Sequence, residues 1–230
     1  IWGLSSSFLF YKFLLQVSPS VMANELMQAF SLSGVALGNL AAFYFYAYLA
    51  MQLPVGLLLD YFSPKRLIVG AITLCAFGAL LFAKATGYYE AAFGRLLIGL
   101  GGAFSAVGTM KLITLYFPAK RFALVAGMMM SVGMLGAVGG EAPLAASIDY
   151  YGWHTTIFVS ALIGFALAIA FALIVQDRQS ASPAARGQRG DFWAGFRLIV
   201  KNPQAWLVSI YSGLAFMPIT AFAGLWGVPY

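Results

Sequence analysis

The sequence predicts an all-α membrane protein: a six-helix bundle of two inverted three-helix repeats, then a linker and a seventh transmembrane helix. Three observations carry this. Of the 230 residues, 62% are hydrophobic and 9% charged, where a soluble domain carries about 25% charged residues. The apolar residues run in long unbroken segments near the ~20 residues a helix needs to span hydrocarbon, unlike the ~10-residue alternating segments of a barrel. Finally, two stretches 89 residues apart match in register: Gln52, Pro54, Asp60, Tyr61 and Phe62 lie over Glu141, Pro143, Asp149, Tyr150 and Tyr151. The first copy continues into Lys65 and Arg66, the second into Trp153 and His154. Lys and Arg collect in cytoplasmic loops, so the two copies leave the membrane on opposite sides, as inverted repeats do.

Seven apolar segments follow one another, at 2–24, 39–60, 67–85, 91–116, 122–147, 154–175 and 205–230. The domains expected are a six-helix bundle over 1–176, a cytoplasmic linker over 177–204, and a seventh helix over 205–230 that opens a C-terminal bundle outside this chain. The linker contains a Ser/Ala/Pro/Gly/Arg stretch from Ser180 to Gly190, flexible by composition. Beyond it, Phe192, Phe196 and Ile199 share one face of a short helix expected to lie along the membrane surface. Of 13 Lys and Arg, nine fall in the second, fourth and sixth connections. That bias places the N-terminus and the linker in the cytoplasm. The net charge of +6 therefore reflects topology and not affinity for nucleic acid. A single cysteine, Cys75, allows no intramolecular disulfide.

The chemistry-bearing residues are few. Lys12 lies near the middle of the first segment, with Ser5, Gln16 and Pro19 on its face. A charge at mid-membrane costs about 2.5–3.5 kcal/mol on insertion scales, so it faces a cavity or a partner. Two readings stand for Lys12: an anchor for a carboxylate or phosphate, or one half of an internal ion pair. Tyr44, Tyr48 and Gln52 form a stripe along the second segment that suits an oriented polar solute, or simple helix packing. Glu141 is the one acid deep in a segment, eight residues before Asp149 and so ~12 Å from the outer end. Arg95 lies at a similar depth, so a Glu141–Arg95 pair is expected. Glu141 either carries a proton or forms a structural salt bridge. Lys111, nearer the cytoplasm, is expected to snorkel.

Several of these stretches resemble the major facilitator superfamily. Gly56, Leu58, Asp60, Lys65 and Arg66 are similar to its signature loop between the second and third helices, with Ser63 where a glycine is usual. Gly94-Arg95, the Tyr116-to-Gly127 stretch and Gly152-Trp153-His154 with Phe158 resemble its later elements, His154 standing where arginine is usual. The resemblance covers the whole chain. It implies two six-helix bundles rocking about a midplane site, with this chain as the first bundle. Gly56, Asp60, Lys65 and Arg66 would then be a conformational latch, Asp60 meeting a helix N-terminus of the other bundle.

The function expected is secondary active transport of a small polar or anionic organic solute, coupled to protons as a symport. Lys12 and Arg95 would attract the anionic group. Gln16, Tyr48 and Gln52 would orient the solute, and Glu141 would carry the proton. The partners expected are the lipid bilayer, the solute, protons, and the C-terminal bundle of the same protein. No cofactor, metal, nucleic acid or enzymatic activity is expected. The location expected is a bacterial inner membrane. A drug or metabolite exporter is the alternative within the class. A non-transporting membrane receptor of the same fold is the alternative outside it.

Overall fold

A computed structural model of the chain describes residues 1–176 and, between 201 and 215, residues 201–204, 206–208, 210–211 and 214–215. Most of the expected linker, 177–200, and most of the seventh segment lie outside the described residues.

Among the described residues up to 176, eight α-helices run in order: α1 (Trp2–Val21), α2 (Ala23–Ala29), α3 (Gly34–Tyr61), α4 (Pro64–Ala83), α5 (Tyr88–Gly102), α6 (Phe104–Tyr116), α7 (Phe122–Tyr151) and α8 (Trp153–Ile174). Their ends follow local chemistry. Ser33 caps α3, its hydroxyl accepting from the Ala36 N–H at 3.3 Å. Ser63 caps α4 through the Arg66 N–H at 3.4 Å, and Pro64 fills the first position, where no N–H is needed. The serine that replaces the usual glycine of the signature loop is therefore a helix cap, and its φ of −59° needs no glycine. Gly152 ends α7 and starts α8 at φ 78°, a left-handed value that glycine adopts freely.

Among the described residues, five spans, Gly34–Tyr61, Pro64–Ala83, Tyr88–Tyr116, Ala119–Tyr151 and Trp153–Ile174, are long and apolar enough to cross a membrane. The first expected segment differs. α1 has the length, 20 residues, but is more polar than the others, and the segment expected to run to 24 breaks at Met22 into the short α2. The fourth segment runs through α5 and α6 as one span, with a local irregularity at Ala103, whose backbone stays helical (φ −60°, ψ −29°) and whose N–H still bonds the Gly99 carbonyl at 3.1 Å.

The repeats interlock. The first helix of one packs along the second helix of the other: α1 lies on α7 and α3 on α5, while α4 sits between α5 and α8. Glycines permit the approach, because small residues let helix backbones come close. A Cβ on Gly136 would sit 2.5 Å from the Phe10 carbonyl oxygen, and one on Gly99 would collide with the Tyr44 carbonyl. The core of Phe8, Leu15, Tyr44, Ile72, Phe82 and Phe171 is fully buried. Apolar side chains on the outer faces, such as Leu49, Leu135, Val138 and Leu173, are exposed.

Candidate functional site

The site grows out of one proline. Pro19 has no N–H, so the Leu15 carbonyl one turn earlier in α1 loses its helical donor. The Ser18 hydroxyl donates to it at 2.9 Å, and so does Arg95, whose Nη1 reaches it from α5 at 2.7 Å. Arg95 Nη2 donates to the Gln16 carbonyl at 3.3 Å, and the guanidinium lies 5.2 Å from the Tyr44 ring centre. Arg95 is completely buried. It fastens α5 to the carbonyls of α1 where the proline has loosened them.

One turn toward the start of α1, Lys12 is 5% exposed. Its ammonium donates to Gln16 Oε1 at 2.7 Å. Aromatic rings enclose the rest: Phe13 at 3.8 Å, Tyr48 at 4.9 Å and Tyr44 at 5.9 Å from ring centre to nitrogen. Ring faces attract a cation, but only partly replace water or a counter-charge. No carboxylate pairs with Lys12 among the described residues; the ion pair they show is Lys111 with Asp60. Of the two sequence readings, the internal ion pair is thus not formed here.

The α3 stripe supplies the opposite wall. Tyr44 and Tyr48 stack at 5.9 Å with an interplanar angle of 18°. The Tyr44 hydroxyl donates to Gln16 Oε1 at 3.3 Å. Gln52 Nε2 is buried, with no hydrogen-bond partner among the described residues. The arrangement gathers Lys12, Gln16, Tyr48 and Arg95 around Tyr44, with Gln52 one turn further along α3.

Glu141 stands apart from this group. The expected Glu141–Arg95 pair does not form, because the guanidinium is spent on α1 carbonyls. Glu141 is partly exposed on α7, with no hydrogen-bond or ion-pair partner among the described residues. Lys111 does not simply snorkel: its Nζ meets Asp60 Oδ1 at 2.7 Å, tying the acid of the signature loop to α6. Gly56 has open space where a Cβ would stand. His154, in the arginine position of the family pattern, places Nδ1 2.6 Å from the Ala83 carbonyl at the end of α4. Two elements of the site escaped the sequence reading. Phe13 lies next to Lys12 in the chain and offered no signal. The Pro19–Leu15 spacing did offer one, since a proline always frees the carbonyl four residues before it.

The family model described as Major Facilitator Superfamily matches residues 4–230. The chain belongs to the major facilitator superfamily. It is an integral, multi-pass membrane protein. An uncharacterized transporter of Bacillus subtilis, YybO, is 28% identical over 171 residues, which are 74% of this chain and 39% of YybO. A probable galactarate/D-glucarate transporter of the same organism, GudP, is also 28% identical, over 65% of this chain and 34% of GudP. The chain thus spans less than two-fifths of these two relatives. Among solved structures, a bacterial homologue of the human lysosomal transporter Spinster, inward-facing and occupied, superposes with a TM-score of 0.71. It is 16% identical, over 80% of this chain and 45% of that one, and so supports the fold alone.

Proposed function

We propose that this chain is the N-terminal bundle of a secondary transporter that moves a small anionic organic solute by alternating access, with proton symport. The observation that carries the reading is Lys12: a buried ammonium with no counter-ion among the described residues, ringed by polar groups that could orient a solute. Holding such a charge inside a membrane is costly unless an anion or a water-filled cavity meets it. The names of the similar transporters agree, GudP and the Escherichia coli GarP each being a probable carrier of galactarate or D-glucarate, both sugar acids. The site residues proposed are Lys12, Gln16, Tyr48 and Gln52 for contact with the solute. Arg95 acts through α1, holding in place the turn that carries Lys12 and Gln16.

Glu141 is proposed as the proton carrier, and Gly56, Asp60, Lys65 and Arg66 as the latch that meets the C-terminal bundle. In this arrangement Lys111 competes for Asp60. The N-terminus and the linker lie on the cytoplasmic side of a bacterial inner membrane.

The test is the full-length protein in proteoliposomes that enclose a pH-sensitive dye, offered pools of organic acids, amino acids and sugars. Lumenal acidification with an acidic pool, absent in Glu141→Gln, is the result expected. Solute exchange without proton movement in the wild type would remove the coupling role and leave an exchanger or uniporter.

A further inference from the structure

A furrow runs along the outside of the bundle between α7 and α8. α7 packs along α1 and α8 along α4, and the two touch each other far less. Between them lies a cavity of about 440 Å³, with Phe10 and Leu14 of α1 at its back. One wall is α7 from Gly139 to Tyr151, and the other is α8 from Thr155 to Ile163. The α7 wall is low because Gly139 and Gly140 put no side chain into it, and nothing stands within 4 Å of where a Cβ on Gly139 would be.

The furrow is apolar. No charged side chain lines it. Its hydroxyls are already spent: Ser147, Thr156 and Ser160 donate to the Pro143, Gly152 and Thr156 carbonyls one turn earlier, at 2.7, 2.9 and 2.9 Å. Val159 and Ile163 on its rim are exposed, as are Phe158 and Leu162 beside them. The furrow is thus continuous with the apolar outer face of a span that crosses the membrane, where the solvent is hydrocarbon.

Length and volume select the occupant. From Gly139 to Tyr151 the α7 wall is ~18 Å long at 1.5 Å per residue. Half of the ~30 Å hydrocarbon core is ~15 Å, so the furrow is as deep as one leaflet. Tyr150 and Tyr151, both exposed, stand at its mouth, and such residues collect at the membrane–water interface. Lys120 and Arg121 lie at the opposite end of α7. A helix about 10 Å across would fill roughly 1,400 Å³ over the same length, about three times what the furrow offers. A single extended hydrocarbon chain is slender enough.

We infer that the furrow holds one acyl chain of a bilayer phospholipid, with its headgroup at Tyr150 and Tyr151 and its tail running between α7 and α8 as far as Gly139. The lipid comes from the leaflet on the side away from Lys120 and Arg121. This site is separate from the Lys12 group and stands whatever solute is carried. Phe10 and Leu14 flank Lys12 along α1, so the bound chain rests against the helix that carries the candidate site.

The test fills the furrow. The full-length protein, stripped of lipid in detergent, is titrated with palmitoyl-oleoyl phosphatidylethanolamine and read by native mass spectrometry. The wild type is expected to bind one lipid at least tenfold more tightly than those that follow. Gly139→Leu and Ser147→Leu each place an apolar side chain in the furrow and are expected to lose that first site. Gly127→Leu, at an equally open position nearer the other end of α7, is expected to keep it. Should one of the filled variants fail to fold, the other decides. A wild type that binds every lipid with one weak affinity, or filled variants that retain the tight site, would overturn the inference and give the furrow to protein instead.

Discussion

At the scale of the residue, the bundle depends on two cations in opposite ways. Arg95 has spent its charge on the Leu15 and Gln16 carbonyls. Removing it takes one of two side-chain donors from the Leu15 carbonyl, the Ser18 hydroxyl remaining, and losing such a hydrogen bond costs about 0.5–1.5 kcal/mol. Arg95→Gln is expected to lower stability by that amount in thermal unfolding. The loss should shrink when Pro19→Ala restores the N–H that the Leu15 carbonyl lacks, a coupling that a double-mutant cycle measures directly. Full additivity of the two changes would show that the arginine is not answering the proline. Lys12 behaves differently, because its buried charge has no carboxylate partner among the described residues. Lys12→Gln is expected to leave stability unchanged or higher, and to remove binding. The sequence marked Lys12, Gln16, Tyr48, Gln52 and Arg95 because each polar group sat in an apolar run. It paired Arg95 with Glu141 because depth can be counted along a helix, whereas the direction a side chain takes across the bundle cannot. The guanidinium went to backbone instead, a partner that leaves no trace in side-chain composition.

At the scale of the element, close helix contacts hold the repeats together. Gly136 on α7 meets the backbone of α1 and Gly99 on α5 meets that of α3, in equivalent places of the two repeats. Adding a methyl group at either forces backbones apart, and overpacking of this kind costs about 1–3 kcal/mol. Gly99→Ala and Gly136→Ala should each destabilise accordingly. Gly38→Ala, where nothing lies within 4 Å, should stabilise by about 0.5–1 kcal/mol through helix propensity alone. Equal effects at all three positions would deny that packing is the reason for these glycines. The Lys111–Asp60 pair is a smaller matter for stability, since its side chains are 30% and 65% exposed and surface pairs contribute about 0–1 kcal/mol. Lys111→Gln is expected to change the melting temperature little. The segment bounds missed the caps: the second segment was drawn from 39, whereas Ser33 starts α3 at Gly34, and the third from 67, whereas Ser63 and Pro64 start α4, because hydropathy marks the apolar stretch and not the polar residue that caps it. The local irregularity at Ala103 left no mark either, because the segment 91–116 is apolar throughout and its backbone stays helical there.

At the scale of the whole molecule, composition, segment length and the matched Gln52 and Glu141 stretches were enough for the architecture. These are properties of the bilayer and of chain symmetry, and tertiary detail does not disturb them. The interlocking of α1 with α7 and α3 with α5 follows from the repeat. The candidate site lies where the two repeats meet, with α1 and α3 from the first and Arg95 on α5 from the second. That location suits a fold whose two bundles would rock about a shared midplane. The central claim is that Lys12 binds the anionic group of a transported solute. Its most direct test is uptake of radiolabelled organic acids and uncharged sugars by the full-length protein in proteoliposomes, comparing wild type with Lys12→Gln. The account predicts uptake of an acid by the wild type, lost by at least an order of magnitude in Lys12→Gln, with no uptake of the uncharged sugars. Equal uptake of the same acid by both proteins, or a wild type that carries only uncharged sugars, would contradict it.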